Sequence, residues 1–357
     1  MASITKRGKK WRARASYVDT KGIRQQPSKT FDTKKAATEW ATRLENQIFD
    51  GSDVNAGKML FPDYFKEWME INKKGNVRKA TYHSYLITLK FIEDTFGGVA
   101  LEKLTTPILQ KQLNKYGKTH KVGTVKIILS KIKSALNDAY IDGIIKRDIF
   151  SRLKANGLEP DHKINFLNAK DFEKLKEFLY THAENMTDSP FLLMALIALE
   201  TGMRIGEVQA LTNDDISNNI INVNKSYSRM TNETTKPKTK SSIREITISQ
   251  SLTKLIENYV SNINTEKLFV RNISSTYVTK YMRELTEAAD VPFIHFHGLR
   301  HSHVSYLLYS GVDIQYISKR VGHANTGITM KVYSHMLKEK EQAQEELTLK
   351  ILNYSDQ

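Results

Sequence analysis

Residues 297–303 of this chain read His-Gly-Leu-Arg-His-Ser-His, and this stretch does most to decide the fold. Three other short polar segments lie in the same part of the sequence. Residues 201–207 read Thr-Gly-Met-Arg-Ile-Gly-Glu, and residues 236–240 read Lys-Pro-Lys-Thr-Lys. Gly322-His323 is followed ten residues later by Tyr333-Ser334-His335. Arginine, lysine, histidine with arginine, histidine and tyrosine thus follow one another over about 130 residues.

Each segment has a structural explanation when it is considered alone. Arg204 could form an ion pair with Glu207 one helical turn further on, and the lysines could belong to a solvated turn. The dense histidines raise the hypothesis of a metal site. The chain contains no Cys, however, and the nearby acids lie upstream, so no metal is predicted. A single tyrosine near the start of a terminal helix is normally explained by packing.

Taken together, the segments resemble the catalytic domain of tyrosine recombinases, the family of phage and conjugative-transposon integrases. The resemblance covers the whole chain, because its basic N-terminal module and its helical middle also look like the arm-binding and core-binding domains of integrases. It implies site-specific recombination, in which DNA is cut and rejoined through a 3′-phosphotyrosyl intermediate to integrate or excise a mobile element.

The resemblance also implies a role for each catalytic residue. Tyr333 would be the nucleophile that attacks the phosphorus. Arg204 and Arg300 would clamp the non-bridging oxygens of a transition state rich in negative charge. His323 would add a hydrogen-bond donor, and His297 would accept the proton of the tyrosine.

The lysine of the site is less sharply defined than the other residues. The family's Lys-Thr pairing points to Lys238 as the acid that protonates the leaving 5′ oxygen, while Lys236 and Lys240 remain alternatives in the same loop. Glu207 would orient Arg204 or His297. The covalent intermediate conserves the energy of the phosphodiester, so no ATP or other cofactor is expected. Two arginines and a lysine would do what a metal ion does in other enzymes, so no metal is expected either.

Composition agrees with a DNA-binding protein. The 54 Lys and Arg exceed the 39 Asp and Glu, which gives a net charge of +15. A positive field of this size favours polyanions, because neutralised phosphates release condensed counterions. No run of residues is long and apolar enough for a membrane helix, and without Cys there is no disulfide framework. We expect a cytoplasmic protein in a bacterial host.

Residues 1–55 predict an arm-type DNA-binding domain made of a sheet and a helix. The first 35 residues contain eleven Lys and Arg against two Asp, a net charge of +9. Residues 11–18 and 24–31 read as strands of a three-stranded sheet, and a helix runs from Lys34 to Phe49. The sheet would present Arg12, Arg14 and Arg24 to DNA.

Residues 59–155 predict an all-helical core-binding domain between two linkers, at 51–57 and 154–165. Four amphipathic helices are indicated, and the fourth extends from Val122 to Ala139. Lysines recur along it, and they would face a phosphate backbone: Lys121, Lys126, Lys131 and Lys133.

Residues 166–357 predict a mixed α+β catalytic domain, so that the whole chain is multidomain and mainly α with small β elements. Residues 220–224 and 243–248 read as two strands joined by a long polar segment. An amphipathic tail helix runs from Leu337 to Leu352, and it could dock either on its own domain or on a neighbouring subunit.

The resemblance implies double-stranded DNA with core and arm sequences as substrate, and a homotetramer on that DNA. An excisionase and a host DNA-bending protein are further candidate partners.

Three rival functions can be distinguished from recombination by experiment. A type IB topoisomerase would relax any supercoiled plasmid, a DNA-binding regulator would not need the catalytic residues, and a metal-dependent nuclease would lose activity in chelator.

Overall fold

The computed structural model describes most of the chain, and two compact units divide it at residues 162 and 163. The described residues are 2–18, 22–49, 56–159, 165–237, 240–263, 265–269, 273–327 and 329–330, with single positions at 345, 348, 349 and 352. Tyr333 and Lys238 therefore lie outside the described residues, as does most of the predicted tail helix.

The first unit begins with a sheet that is backed by one helix. The strands are β1 (Ser3–Arg7), β2 (Lys10–Arg14), β3 (Tyr17–Val18), β4 (Arg24–Gln25) and β5 (Ser28–Phe31), followed by α1 (Lys34–Phe49). Three of them form an antiparallel sheet in the order β1-β2-β5, while β3 and β4 form a separate ladder. Small residues at the contact, Ala13, Ala37 and Ala41, are buried and let the helix approach the sheet closely.

The predicted long strands are each interrupted, which corrects the position of Arg24. Strand β2 ends before Ala15, and Pro27, which has no backbone N–H to offer a ladder, separates β4 from β5. Arg24 consequently lies outside the three-stranded sheet, where its Nε donates to Ser16 Oγ at 2.9 Å. Arg12 and Arg14 do lie on the sheet, on the face opposite the buried Ala13.

The remainder of the first unit is a helical bundle with an aromatic core. Its helices are α2 (Phe61–Asn72), α3 (Lys79–Phe96), α4 (Thr106–Gly117) and α5 (Val122–Ile141). Phe61, Phe65 and Phe96 pack edge to face at its centre. Trp68 is buried there as well, and its indole Nε1 donates to Asp138 Oδ2 at 2.7 Å. The three tryptophans of the chain, Trp11, Trp40 and Trp68, all lie in this unit.

Two details of this bundle differ from the predictions. Lys131 is not on the exposed lysine face, because its side chain is only 8% exposed and its Nζ donates to Ser84 O at 3.0 Å. The predicted linker at 154–165 starts too early, since the backbone of Leu158 exchanges hydrogen bonds with His120 and Val122. The close approach of these two segments requires a glycine at position 157, because a Cβ there would lie 2.8 Å from the carbonyl oxygen of His120.

The second unit packs helices around one buried helix and a small sheet. Its elements are α6 (Ala169–Thr181), α7 (Pro190–Thr201), α8 (Ile205–Gln209), β6 (Ile216–Ser217), β7 (Ile220–Val223), β8 (Ser226–Ser228), β9 (Glu233–Thr235), β10 (Arg244–Thr247), α9 (Gln250–Ser261), α10 (Ser275–Ala288), α11 (Phe296–Tyr309) and α12 (Ile314–Val321). Helix α7 is apolar all round and forms the centre of the core.

The predicted strands of the second unit are confirmed, and a further hairpin lies between them. Strands β7 and β10 pair antiparallel, with β6 on the other side of β7. The polar segment that joins them contains the hairpin β8–β9. The mainly helical, multidomain fold class is thus confirmed, and none of the described helices has both the length and the apolar character needed to cross a membrane.

Candidate active site

Arg204 lies at the turn between α7 and α8, where a glycine allows a sharp change of direction. Gly202 ends α7 with φ +68°, a conformation that favours glycine. A Cβ at this position would lie 2.9 Å from both the His303 ring and Val321 Cγ1. The close packing fixes the start of α8, so that the Arg204 side chain projects from it and remains 41% exposed.

Glu207 is buried on α8 and holds Arg204 from two directions. Its Oε1 accepts from Arg204 Nη1 at 2.8 Å, and its Oε2 accepts from the Arg204 backbone N–H at 3.0 Å. Oε2 also accepts from Arg244 Nη2 at 3.0 Å. Burial alone would raise the pKa of Glu207, but Arg244 and Arg204 outweigh it and hold the pKa below its ordinary value. The ion pair expected as the structural explanation of Arg204 is therefore present, yet Arg204 still reaches solvent.

Helix α11 brings Arg300 and His297 to the same region. Arg300 is buried, and its Nη1 donates to the carbonyl oxygen of Gly202 at 2.7 Å. Burial, followed by the charges of His301, Arg300 and Arg204, lowers the pKa of His297 to about 4. His297 is consequently a neutral imidazole near pH 7, and it can accept a proton.

The start of α11 is tied to the segment that enters the second unit. Asn165 Oδ1 accepts from the His295 backbone N–H at 2.9 Å, and the Leu167 N–H donates to Ser302 Oγ at 2.8 Å. A Cβ at Gly298 would lie 2.8 Å from both the backbone and the side-chain oxygen of Asn165. The absence of a side chain at Gly298 thus lets this contact form one residue from His297.

His323 follows the end of α12 and lies near the same group of charges. Its Nδ1 lies 2.7 Å from Thr329 Oγ1. Burial lowers its pKa to about 4, with smaller effects from Arg300, Arg204, His301 and Arg244. If the Thr329 hydroxyl donates to Nδ1, the neutral ring carries its proton on Nε2 and can donate it in a hydrogen bond.

A cleft of about 490 Å³ lies beside Arg204 and His297. Its other lining residues come from α8, the β8–β9 hairpin and the start of α11: Ile205, Gly206, Ser226, Tyr227, Arg229, Met230 and Phe296. Gly206 allows the hairpin to press against α8, since a Cβ there would be 2.6 Å from Tyr227 O. The cleft offers two guanidinium groups and a neutral imidazole to a bound anion.

The described structure brings together four of the six predicted catalytic residues: Arg204, His297, Arg300 and His323. Lys236 is described and exposed, but Lys238 is not, so the choice among the loop lysines stays a prediction. The predicted DNA contacts all lie in the first unit, where Lys121 and Lys126 are exposed and Lys133 Nζ donates to Ser151 O at 2.9 Å.

Histidines near the site do not cluster as metal ligands within the described part of the chain, where no group of three His, Asp or Glu side chains could hold an ion. His303 instead has a packing role. Its Nδ1 donates to Leu199 O at 2.9 Å, and its Nε2 accepts from Arg320 Nε at 3.2 Å.

Two arginines of the site were missed from the sequence. Arg229 lies in the polar hairpin segment, and no pattern there distinguishes it from a solvated residue. Arg244 did carry a signal, because it alternates with Ile246 and Ile248 on the buried face of a strand. An inward-facing cation at such a position requires a carboxylate partner.

Three family models match this chain in consecutive segments. Residues 165–340 match the phage integrase family, residues 2–48 match an arm DNA-binding domain, and residues 60–116 match the N-terminal SAM-like domain of phage integrases.

Relatives match nearly the whole chain. The ICEBs1 integrase of Bacillus subtilis (strain 168) is 27% identical over 340 residues, which cover 87% of this chain and 89% of the relative. The integrase of Staphylococcus phage L54a is 24% identical over 353 residues, which cover 87% of this chain and 98% of the relative.

Solved structures share the fold. The Tn1549 transposon integrase in complex with transposon right-end DNA superimposes with a TM-score of 0.68 at 18% identity, covering 83% of this chain and 100% of that one. The lambda integrase tetramer bound to a Holliday junction gives a TM-score of 0.60 at 17% identity, covering 90% of this chain and 96% of that one.

Proposed function

Because the chain belongs to the phage integrase family of tyrosine recombinases, we propose that it integrates or excises a mobile element by cutting and rejoining DNA through Tyr333. The observation that carries the proposal is the group formed by Arg204, Arg300, His297 and His323 in the second unit. Two fixed cations and two neutral imidazoles in one place suit a phosphodiester, whose charge grows in the transition state.

The cleavage step uses these residues as follows. The Tyr333 oxygen attacks the phosphorus, and the bond to the 5′ oxygen breaks, so that the strand is joined to the enzyme through a 3′-phosphotyrosyl bond. His297 accepts the tyrosine proton, and Lys238 gives a proton to the leaving 5′ oxygen. A 5′ hydroxyl of the exchanged strand reverses the same step. Arg204 and Arg300 stabilise the non-bridging oxygens, with His323 as a further donor.

The low pKa of His297 belongs to the DNA-free protein. Arg300 and Arg204 contribute to that low value, and a bound phosphate would offset their charge. We expect phosphate binding to raise the pKa of His297, which makes it a better proton acceptor when the substrate is in place.

The three matched segments support a division of labour among three domains. Residues 1–55 would bind arm sites, residues 59–155 would bind the core site, and residues 166–357 would carry the chemistry. The lambda integrase, which shares the fold, has been solved as a tetramer on a Holliday junction, and we propose a homotetramer here. An excisionase and a host DNA-bending protein would set direction, and the protein would act in the cytoplasm.

The nucleophile can be tested by trapping the covalent intermediate. DNA from both flanks of the gene is incubated with the protein in chelator and analysed on a denaturing gel for a protein–DNA adduct. Tyr333→Phe should abolish the adduct and leave DNA binding intact. Tyr316→Phe, which changes an exposed tyrosine of α12, should retain it. An adduct from Tyr333→Phe would refute the nucleophile, and cleavage only in magnesium would indicate a nuclease.

A further inference from the structure

Arg244 is a buried cation on β10 that none of the cleavage steps uses. Its side chain and that of Glu207 are each 5% exposed, and the two are joined by the hydrogen bond from Nη2 to Oε2 at 3.0 Å. Glu207 therefore lies between two guanidinium groups, Arg204 on the side of the cleft and Arg244 on the side of the sheet.

The other donors of Arg244 bind two further segments of the site. Its Nε donates to Arg320 O at 2.7 Å, and its Nη1 donates to Ser242 O at 3.1 Å. Arg320 lies three residues before His323. Ser242 lies near the end of residues 236–243, which we call the lysine loop and which lead into β10. One guanidinium thus connects the carboxylate behind Arg204, the segment that carries His323, and the end of the lysine loop.

The backbone around Gly322 shows how tightly these segments meet. A Cβ at Gly322 would be 2.9 Å from Ser241 O and 3.2 Å from both Cδ and Nη1 of Arg244. Gly322 also has φ +71°, which favours glycine. The contact between the lysine loop and the end of α12 consequently depends both on Arg244 and on glycine, which has no side chain, at position 322.

The charge of Arg244 also matters for Arg204. A buried carboxylate needs a cationic partner to compensate its charge. When one of its two cationic partners is removed, the carboxylate interacts more strongly with the other. Without Arg244, Glu207 would be compensated by Arg204 alone among the arginines it contacts in the described structure. That would hold Arg204 more firmly against Glu207 and weaken its attraction for a phosphate.

We propose that Arg244 is a positioning residue for DNA cleavage, which acts through Glu207 and through the segments before His323 and after the lysine loop. It does so without contacting DNA. This inference rests on the proposed function, since it assigns Arg244 to the same cleavage site.

A double-mutant cycle between Arg244 and Glu207 tests the inference in the full-length protein. The variants are Arg244→Gln, Glu207→Gln and the pair, assayed on the same flanking DNA. Two quantities are measured: the apparent Kd from gel retardation, and the first-order rate of adduct formation at saturating protein. Arg244→Gln should lower the rate by up to about 100-fold, as expected for a small misplacement of catalytic groups, and should change Kd far less.

Coupling is the decisive result. If Arg244 acts largely through Glu207, adding Arg244→Gln to Glu207→Gln should lower the rate much less than it does in the native background. Arg244→Lys keeps the charge but loses the planar fork, so it should recover part of the rate. If Arg244→Gln does not fold, Arg244→Lys replaces it in the cycle.

Arg320→Gln is the matched control. Arg320 donates to Thr247 O at 3.0 Å and Glu200 O at 3.1 Å, in the same part of the unit. The fold-reduction in the rate of adduct formation caused by Arg320→Gln should be the same in the native and in the Glu207→Gln background. If the effects of Arg244→Gln and Glu207→Gln also multiply independently, or if Kd changes as much as the rate, the assignment of Arg244 is wrong while the proposed function stands. If the native protein forms no adduct, the proposed function fails and the role of Arg244 fails with it.

Discussion

Arg229 lines the cleft beside Arg204 and His297, and it presents a buried nitrogen that a phosphate could satisfy. Within the part of the chain that the structure describes, its Nη1 has no hydrogen-bond acceptor. We predict that Arg229 contacts a phosphate near the cleaved bond. Arg229→Gln should then reduce the slope of log K against log salt concentration by about 1.

Fluorescence anisotropy titrations with labelled flanking DNA over a salt series measure this slope. Arg229→Lys preserves the charge and should keep the native slope. An unchanged slope in Arg229→Gln would show that the side chain does not neutralise a phosphate.

His303 makes the second unit sensitive to acid. Burial, and then the charge of Arg320, lowers its pKa to about 3, against about 6.5 in an unfolded chain. Between these values only the unfolded state takes up the proton, so the free energy of unfolding falls as the pH falls below 6.5. His303 alone should remove about 2 kcal/mol at pH 5.

Hydrogen exchange of the α7 and α11 amides, corrected for intrinsic rates, should reveal this loss of protection between pH 7 and pH 5. His303→Gln should make the protection less dependent on pH. His83→Gln, a change at an exposed position of α3, should leave the dependence as it is. Equal pH dependence in native protein and His303→Gln would exclude His303 as its source.

At the scale of elements, the start of α11 depends on its contact with Asn165. Gly298→Ala places a Cβ 2.8 Å from two oxygens of Asn165 and 2.9 Å from Ile294 Cβ. The first turn of α11 must shift, and His297 shifts with it. We expect a loss of about 1–3 kcal/mol in stability, typical of overpacking, and slower adduct formation.

Gly123→Ala provides the comparison, because it also lies near the start of a helix but has no heavy atom within 4 Å of the added Cβ. It should stabilise α5 slightly, since alanine favours helices more than glycine does. Thermal unfolding and single-turnover assays distinguish the two variants. A Gly298→Ala protein with native stability and native cleavage would refute the contact as a constraint on the site.

Helices could be predicted from the sequence more accurately than strands. Helix α1 has the predicted limits, Lys34 and Phe49. Its start is marked by Thr33, whose Oγ1 accepts from the Ala36 backbone N–H at 3.2 Å. The strands at 11–18 and 24–31 were predicted too long, since alternation of residue types continues through the breaks at Ala15 and Pro27. The β8–β9 hairpin was missed because its strands, Ser-Tyr-Ser and Glu-Thr-Thr, lack an apolar face.

Residues of the candidate site that lie in short motifs could be predicted from the sequence. Contacts of the site between residues that are distant in the sequence could not. Arg204, His297 and Arg300 lie in motifs of a few residues, and the structure places them together. Arg244 reaches Glu207 across 37 positions of sequence. No local pattern predicts this contact, because it depends on the pairing of β7 with β10.

For the whole molecule, the proposed division into arm-binding, core-binding and catalytic domains predicts that two kinds of DNA binding can be separated. The protein without residues 1–55 should lose affinity for arm sites, because the module around Arg12 and Arg14 is gone. It should still form the covalent adduct at the core site. Retardation assays with arm and core fragments, together with the adduct assay, measure both. If a folded truncated protein could no longer cleave, the assignment of separate roles would be wrong.

The confinement of all three tryptophans to the first unit has a spectroscopic consequence. Indole emission reports the folding of residues 1–162, whereas far-ultraviolet circular dichroism includes the helices of both units. Denaturation curves recorded by the two methods will separate if the units melt independently. DNA that contacts only the second unit will leave the emission unchanged, so that binding by each unit can be timed without an attached dye.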